Sequence, residues 1–259
     1  MRLLAIGDVC GPVGQEELRL KLPLLKKEKK IDVVIVNGEN SADGNGITPS
    51  SADFLFACGA DVITGGNHSF RRAEICEYLD ENPFILRPHN LPQAENGSGY
   101  CLLDMGRYSV AVINLAGKIY LEKLGAENPF LAADPLIERA KRDGANAIVV
   151  DFHAEATSEK RAMGFYLDGK VSAVFGTHTH VQTADEQILP LGTGYITDLG
   201  MTGCINSVLG VKTDIIVNRL RDNDMSKFEF AEGKAMLSAC IFEIDTATSK
   251  TVAVERIKI

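Results

Sequence analysis

The sequence predicts an α/β fold in which a mixed sheet, or two sheets packed together, lies between helices. Three observations predict it. The first third alternates apolar strand-like runs with helical patterns, the middle holds a hairpin pattern, and the last third consists mainly of strand-like runs. Alternation of strand and helix argues for parallel pairing with helices packed outside the sheet.

Taken in order, residues 3–6 form an apolar run expected as a buried strand, and residues 16–30 carry Leu18, Leu22 and Leu25 at helical spacing. The Lys26 to Lys30 cluster reads as the solvated basic end of that helix, where cations suit the macrodipole. A strand over 33–36, a Gly/Asn/Asp loop over 38–46 and a helix over 49–56 opening on Pro49 follow. Residues 62–64 predict a third strand and 72–79 a helix. The runs 99–103 and 109–114 predict a hairpin turning at Met105-Gly106-Arg107. Helices over 135–142 and 158–163 and strands over 147–150 and 171–175 come next, then strands over 187–189, 195–197, 215–218, 235–242 and 251–257. No repeat or linker interrupts the chain, so residues 1–259 are expected to form a single domain.

Composition excludes several classes. Apolar residues make up 45% and charged residues 24%, which suits a globular domain rather than a disordered or fibrous chain. A net charge of −8 without a large basic block disfavours duplex nucleic acid. No run approaches the roughly 18 apolar residues of a membrane span, and residues 3–6 are too short for a signal-peptide core. Six scattered cysteines without a C-x-x-C pair suit buried thiols in a reducing, cytoplasmic setting.

The chemistry lies at the ends of the expected strands. Asp8 follows the first, Glu39 and Asn40 the second, and Asn67 and His68 the third; His153 ends a later strand, and His178 and His180 follow the next. Singly, each has an ordinary role as a cap, a turn former or a hydrogen-bonding histidine. Together they place all but one of the five histidines, with carboxylates, amides and glycines, at five strand-to-loop junctions, where ligands of open α/β sheets bind. His89 fits no such position and is expected on a surface loop. Oxygen and imidazole donors without thiolates suit iron, manganese or zinc rather than calcium. Two ions sharing a carboxylate would polarise a phosphoryl oxygen and activate water without a Ser or Cys nucleophile.

The order Gly7-Asp8, Gly38-Glu39-Asn40, Gly65-Gly66-Asn67-His68, His153 and Gly176-Thr177-His178-Thr179-His180 resembles the calcineurin-like metallophosphoesterases. Within them the chain resembles the bacterial YmdB-type proteins over nearly its whole length, most specifically in residues 150–160, 176–185 and 195–203. The resemblance implies a four-layer αββα sandwich, two mixed sheets between helices, with a dinuclear site commonly filled by iron. It implies that Asp8, Glu39, Asn40 and His180 bind one ion and that Glu39, Asn67, His153 and His178 bind the other, with Glu39 bridging. His68 would be the general acid while a metal-activated hydroxide attacks in line. The implied activity is hydrolysis of small phosphodiesters, cyclic nucleotides included, of the 2′,3′ and 3′,5′ kinds. A phosphomonoesterase or nucleotidase on the same site, and a regulatory protein with a purely structural metal site, are the alternative readings. A homo-oligomer is left open.

The sequence departs from the family pattern at Cys10, where a histidine usually stands, and Asn40 is expected to supply the coordination instead. It also departs at Ser69-Phe70-Arg71, where relatives carry Trp and Asp, at Cys204, where a proline is common, and over residues 93–98.

Overall fold

The computed structural model describes residues 1–259. Strand β1 (Arg2–Ile6), strand β2 (Asp8–Val9), helix α1 (Gly11–Lys29), strand β3 (Val33–Asn37), helix α2 (Pro49–Cys58), strand β4 (Val62–Thr64) and helix α3 (Ile75–Glu81) open the chain. Strands β5 (Tyr100–Asp104) and β6 (Ser109–Ala116) form the hairpin. A short 3-10 turn (Glu122–Leu124), α4 (Pro129–Arg142), β7 (Ala147–His153), α5 (Thr157–Leu167) and β8 (Ala173–Thr177) come next. The last third holds β9 (Gln187–Ile188), β10 (Gly194–Ile196), β11 (Met201–Cys204), α6 (Thr213–Asp222), β12 (Ala235–Met236), β13 (Ser238–Asp245) and β14 (Lys250–Lys258).

Two mixed sheets face each other, one ordered β14-β13-β1-β3-β4 and the other β5-β6-β7-β8-β10-β9. A small third sheet joins β12, β11 and β2. Side-chain alternation assigns the layers, because successive residues of a strand point to opposite faces. Leu3, Ala5, Val33 and Ile35 meet Val110, Val112, Val149 and Phe175 between the two sheets. Leu4, Ile6, Val34 and Val36 pack outward on Leu18 and Leu22 of α1 and Leu55 of α2. Ile113, Ile148 and Val150 pack on Leu136 and Ile137 of α4 and Met163 of α5. The result is the four-layer αββα sandwich. Leu18 and Leu22 are fully buried, so truncating either to alanine would cost about 2–5 kcal/mol.

Most expected elements are present with shifted ends. Helix α1 begins five residues early, at Gly11 rather than 16, because Pro12 occupies the first turn, where a missing N–H costs nothing. It ends at Lys30 in the left-handed region (φ 53°), with Lys26, Lys27 and Lys29 in its last turn. The strand expected over 215–218 is instead part of helix α6. Its β-branched run favours a strand locally, but half-buried positions fall at 215, 216, 218 and 219, the spacing of one helical face. Strands β2 and β11 were not foreseen, and the run expected as one strand over 235–242 is broken at Leu237 into β12 and β13.

His89 is exposed on a loop, as expected. All six cysteines are free and five are buried. No helix is long and apolar enough to cross a membrane.

Candidate metal centre

Strands β3 and β4 run parallel in one sheet and β7 and β8 run parallel in the other, so their carboxyl ends open on one crevice. Glu39 and Asn40 follow β3, Asn67 and His68 follow β4, His153 ends β7, and His178 and His180 follow β8. Asp8 begins β2 and is held opposite Met201 of β11.

The structure brings all eight residues into one network. His153 Nε2 lies 2.8 Å from Asn67 Oδ1, 3.1 Å from His178 Nδ1 and 3.5 Å from Glu39 Oε1. Asn40 Nδ2 donates to Glu39 Oε1 (2.9 Å) and lies 3.3 Å from His180 Nε2, which itself stands 3.5 Å from Asp8 Oδ1. The His178 backbone N–H donates to Asp8 Oδ2 at 3.2 Å. Facing them, His68 donates its backbone N–H to Glu39 Oε2 (2.8 Å) and places Nδ1 2.9 Å from Asn40 Oδ1.

This donor set fits cations. Thr177 donates its hydroxyl to Asp151 Oδ1 (2.7 Å), so His153 Nδ1–H donates to Thr177 Oγ1 (2.9 Å) and the Nε2 lone pair faces the crevice. His178 sets its Nε2 3.0 Å from Glu155 Oε2, which assigns the proton there and leaves Nδ1 bare. Two bare ring nitrogens, an amide oxygen and a carboxylate oxygen then converge with no proton between them. The ligand atoms of Glu39, His153 and His178 all lie within 4.8 Å of one another. Asp8 Oδ1 is buried without a hydrogen bond, a cost of about 1–3 kcal/mol that a bound cation would remove.

The supporting shell explains why the donors hold these positions. Asp151 is fully buried and accepts from Thr64 (2.5 Å), Thr177 (2.7 Å) and Asn37 (3.2 Å), tying β3 and β4 of one sheet to β7 and β8 of the other beneath the crevice. Lys160 and Asp198, both buried, pair at 2.5 Å; Lys160 also donates to the Thr177 carbonyl, and Asp198 accepts from the Thr179 N–H. Between these anchors His178 (φ 101°), and just beyond them His180 (φ 63°), take the left-handed backbone, a strain tolerated where surrounding bonds fix the chain. Gly66 has no tolerated replacement, since a Cβ there would stand 2.3 Å from the His153 ring and 2.4 Å from Glu39 Oε2.

Electrostatics follow from burial and neighbours. Burial pushes the Asp8 carboxyl up, but the imidazoles of His180 and His153 outweigh it and hold Asp8 well below the carboxylate range. Glu39 is likewise raised by burial yet held at about 2 by His153 and His68. Burial pushes His153 down to about 4, so it is neutral at neutral pH, the form that ligates.

The family model of YmdB-like proteins matches residues 4–257. The chain belongs to the YmdB-like family. A 2′,3′-cyclic-nucleotide 2′-phosphodiesterase of Bacillus subtilis (strain 168) is 47% identical over 260 residues, covering 100% of this chain and 97% of that protein. A novel phosphatase of Mycoplasma pneumoniae superposes with a TM-score of 0.93 at 33% identity, covering 100% of this chain and 93% of that one. The fold alone is shared with a putative 5′-nucleotidase of Staphylococcus aureus, at a TM-score of 0.63 and 15% identity, over 100% of this chain and 53% of the other.

In this YmdB-like chain Cys10 sits behind His180 rather than among the donors. Its Sγ lies 3.5 Å from His180 Nδ1, the nitrogen that also meets the Leu209 carbonyl at 3.0 Å, while Nε2 faces Asp8 and Asn40. Sequence reading missed Glu155, Asp151, Lys160 and Asp198 as supports. Glu155 stands two residues from His153, a signal that could have found it. Asp198 lies 38 residues from Lys160 and leaves no local trace.

Proposed function

We propose that this chain is a metal-dependent phosphodiesterase that hydrolyses small phosphodiesters, cyclic nucleotides of the 2′,3′ kind foremost. The observation that carries this reading is the convergence of bare donor atoms around His153 Nε2 and Asp8 Oδ1 beside a part-exposed histidine, His68, whose ring touches Asn40 and Glu39 at the rim of the cluster. The 2′,3′-cyclic-nucleotide 2′-phosphodiesterase at 47% identity supports the substrate class.

Asp8, Glu39, Asn40 and His180 would hold one ion, and Glu39, Asn67, His153 and His178 the other, with Glu39 shared. Iron is the proposed occupant; manganese and zinc suit the same nitrogen and oxygen donors. Two ions supply Lewis acidity at a phosphoryl oxygen and a nucleophile from water at neutral pH. Asn40 presents Nδ2, not Oδ1, to Glu39 and His180. The two ends of an amide are nearly isosteric, so a half-turn brings Oδ1 to the ion side.

His68 then protonates the leaving O2′ as water adds to phosphorus and the P–O2′ bond breaks, yielding the 3′-monophosphate. Its side chain is 29% exposed, open to substrate, while its backbone is fixed by Glu39. The test is hydrolysis of 2′,3′-cyclic AMP, 3′,5′-cyclic AMP and a phosphomonoester. Turnover of 2′,3′-cyclic AMP to one monophosphate is expected. Turnover of the monoester alone would make the chain a nucleotidase, and turnover of none would favour a non-catalytic metal protein.

A further inference from the structure

We propose that a cleft of about 450 Å³ beside Asn67, walled by Gly66, Phe70, Leu91, Gln93 and Leu124, binds the heterocyclic base of a nucleotide substrate. This rests on the reading of the chain as a cyclic-nucleotide phosphodiesterase. In such a substrate the base is joined through one ribose to the reacting phosphate, so its subsite must adjoin the metal centre. Asn67 meets that demand, because it belongs both to the wall of this cleft and to the donor network, where its Oδ1 lies 2.8 Å from His153 Nε2, and Gly66 beside it packs against His153 and Glu39.

The lining suits a flat heteroaromatic ring. Phe70 is half-buried and packs against Leu91 and the small cluster under it, so its ring is held while one part remains open. Pockets of this kind bind through apolar and aromatic walls with a few placed polar groups. Here Gln93 donates from Nε2 to the Leu124 carbonyl at 2.6 Å, tying the two walls together across 31 residues. Its Oε1 takes no hydrogen bond from the chain and is an acceptor for the exocyclic amine of adenine or cytosine.

The larger neighbouring cleft, of about 1110 Å³, is the weaker candidate. It contains none of the donor residues and is walled by charged groups, Arg71, Arg72, Lys212, Lys227 and Glu229 among them. Arg72 is already bonded to the carbonyls of Asp43 and Asn45, and Lys212 pairs with Glu229 at 2.5 Å.

The experiment compares two five-membered cyclic phosphates, 2′,3′-cyclic AMP and the base-free glycerol 1,2-cyclic phosphate, on wild type, Phe70→Leu and Phe70→Tyr. Leucine keeps apolar volume for folding but removes the ring. The ratio of kcat/KM for the nucleotide to that for the glycerol diester should fall about tenfold or more in Phe70→Leu, mainly through KM, and return in Phe70→Tyr, since base stacking tolerates any aromatic face. An unchanged ratio in Phe70→Leu would overturn the proposal. Adenosine, which carries base and ribose without phosphate, is titrated calorimetrically into the same three metal-loaded proteins. Binding to wild type and Phe70→Tyr but not to Phe70→Leu is expected; no binding to wild type, or equal binding to all, would overturn the proposal. If no cyclic diester is hydrolysed, the catalytic reading fails while the adenosine result still decides the cleft.

Discussion

His153 Nε2 and His178 Nδ1 face each other at 3.1 Å, each with its other ring nitrogen committed to a partner, Thr177 for one and Glu155 for the other. Two lone pairs at that separation repel unless a cation lies against both. Stripping metal with a strong chelator should therefore abolish phosphodiesterase activity and lower thermal stability together. Ligand at about a hundred times its Kd stabilises by about 2.7 kcal/mol, which for a chain this long is a Tm shift of about 5–10 °C. Calorimetry with and without chelator checks this, and an unchanged Tm would count against a cation at these histidines.

His68→Ala should keep its metal complement yet lose about 10²–10⁴ in kcat on 2′,3′-cyclic AMP, the range for a removed general acid. The loss should be much smaller on bis(p-nitrophenyl) phosphate, whose leaving group needs no proton. Equal losses on both substrates would show that His68 acts on something other than the leaving oxygen.

Lys160 and Asp198 form a buried pair that pins the backbone between Thr177 and Thr179. Asp198→Asn leaves a buried ammonium without its counter-charge and should cost about 3–5 kcal/mol in urea denaturation. The double variant Lys160→Met with Asp198→Leu should cost less, because no charge is stranded. Its metal affinity should still fall, since His178 and His180 lose their anchor. Full metal affinity in that variant would remove the pair from any part in the site.

Asp185 supplies a stability term with a defined sign. Burial raises its carboxyl, but hydrogen bonds from Thr197 and Thr183 outweigh that and leave it below the ordinary aspartate value. A folded pKa below the unfolded one gives stability that is present above the unfolded pKa and lost as pH falls through the folded value. The stability gap between wild type and Asp185→Asn should thus be larger near neutral pH than at about pH 3. A gap that is the same at both pH values would contradict the sign.

The αββα layering and the convergence of the strand-end polar residues were legible because both leave periodic or positional traces: apolar runs at 3–6, 33–36 and 147–150, and polar residues at the strand ends. What was not legible depends on distance. The cleft wall takes Phe70 and Leu91 from two separate loops and Leu124 from the 3-10 turn, and Asp151 reads as one more residue of an apolar strand until Thr64 and Asn37 are brought across from the other sheet. Helix α6 was misread for the opposite reason, since Ile215-Ile216-Val217 favours a strand on its own and only burial along one helical face decides against it.

A two-ion phosphodiesterase centre is tested by elemental analysis of protein purified without added metal, joined to a 2′,3′-cyclic AMP assay on the same sample. About two transition-metal ions per chain and turnover to a single monophosphate are expected. One ion or none, with no hydrolysis after reloading with iron, manganese or zinc, would contradict it.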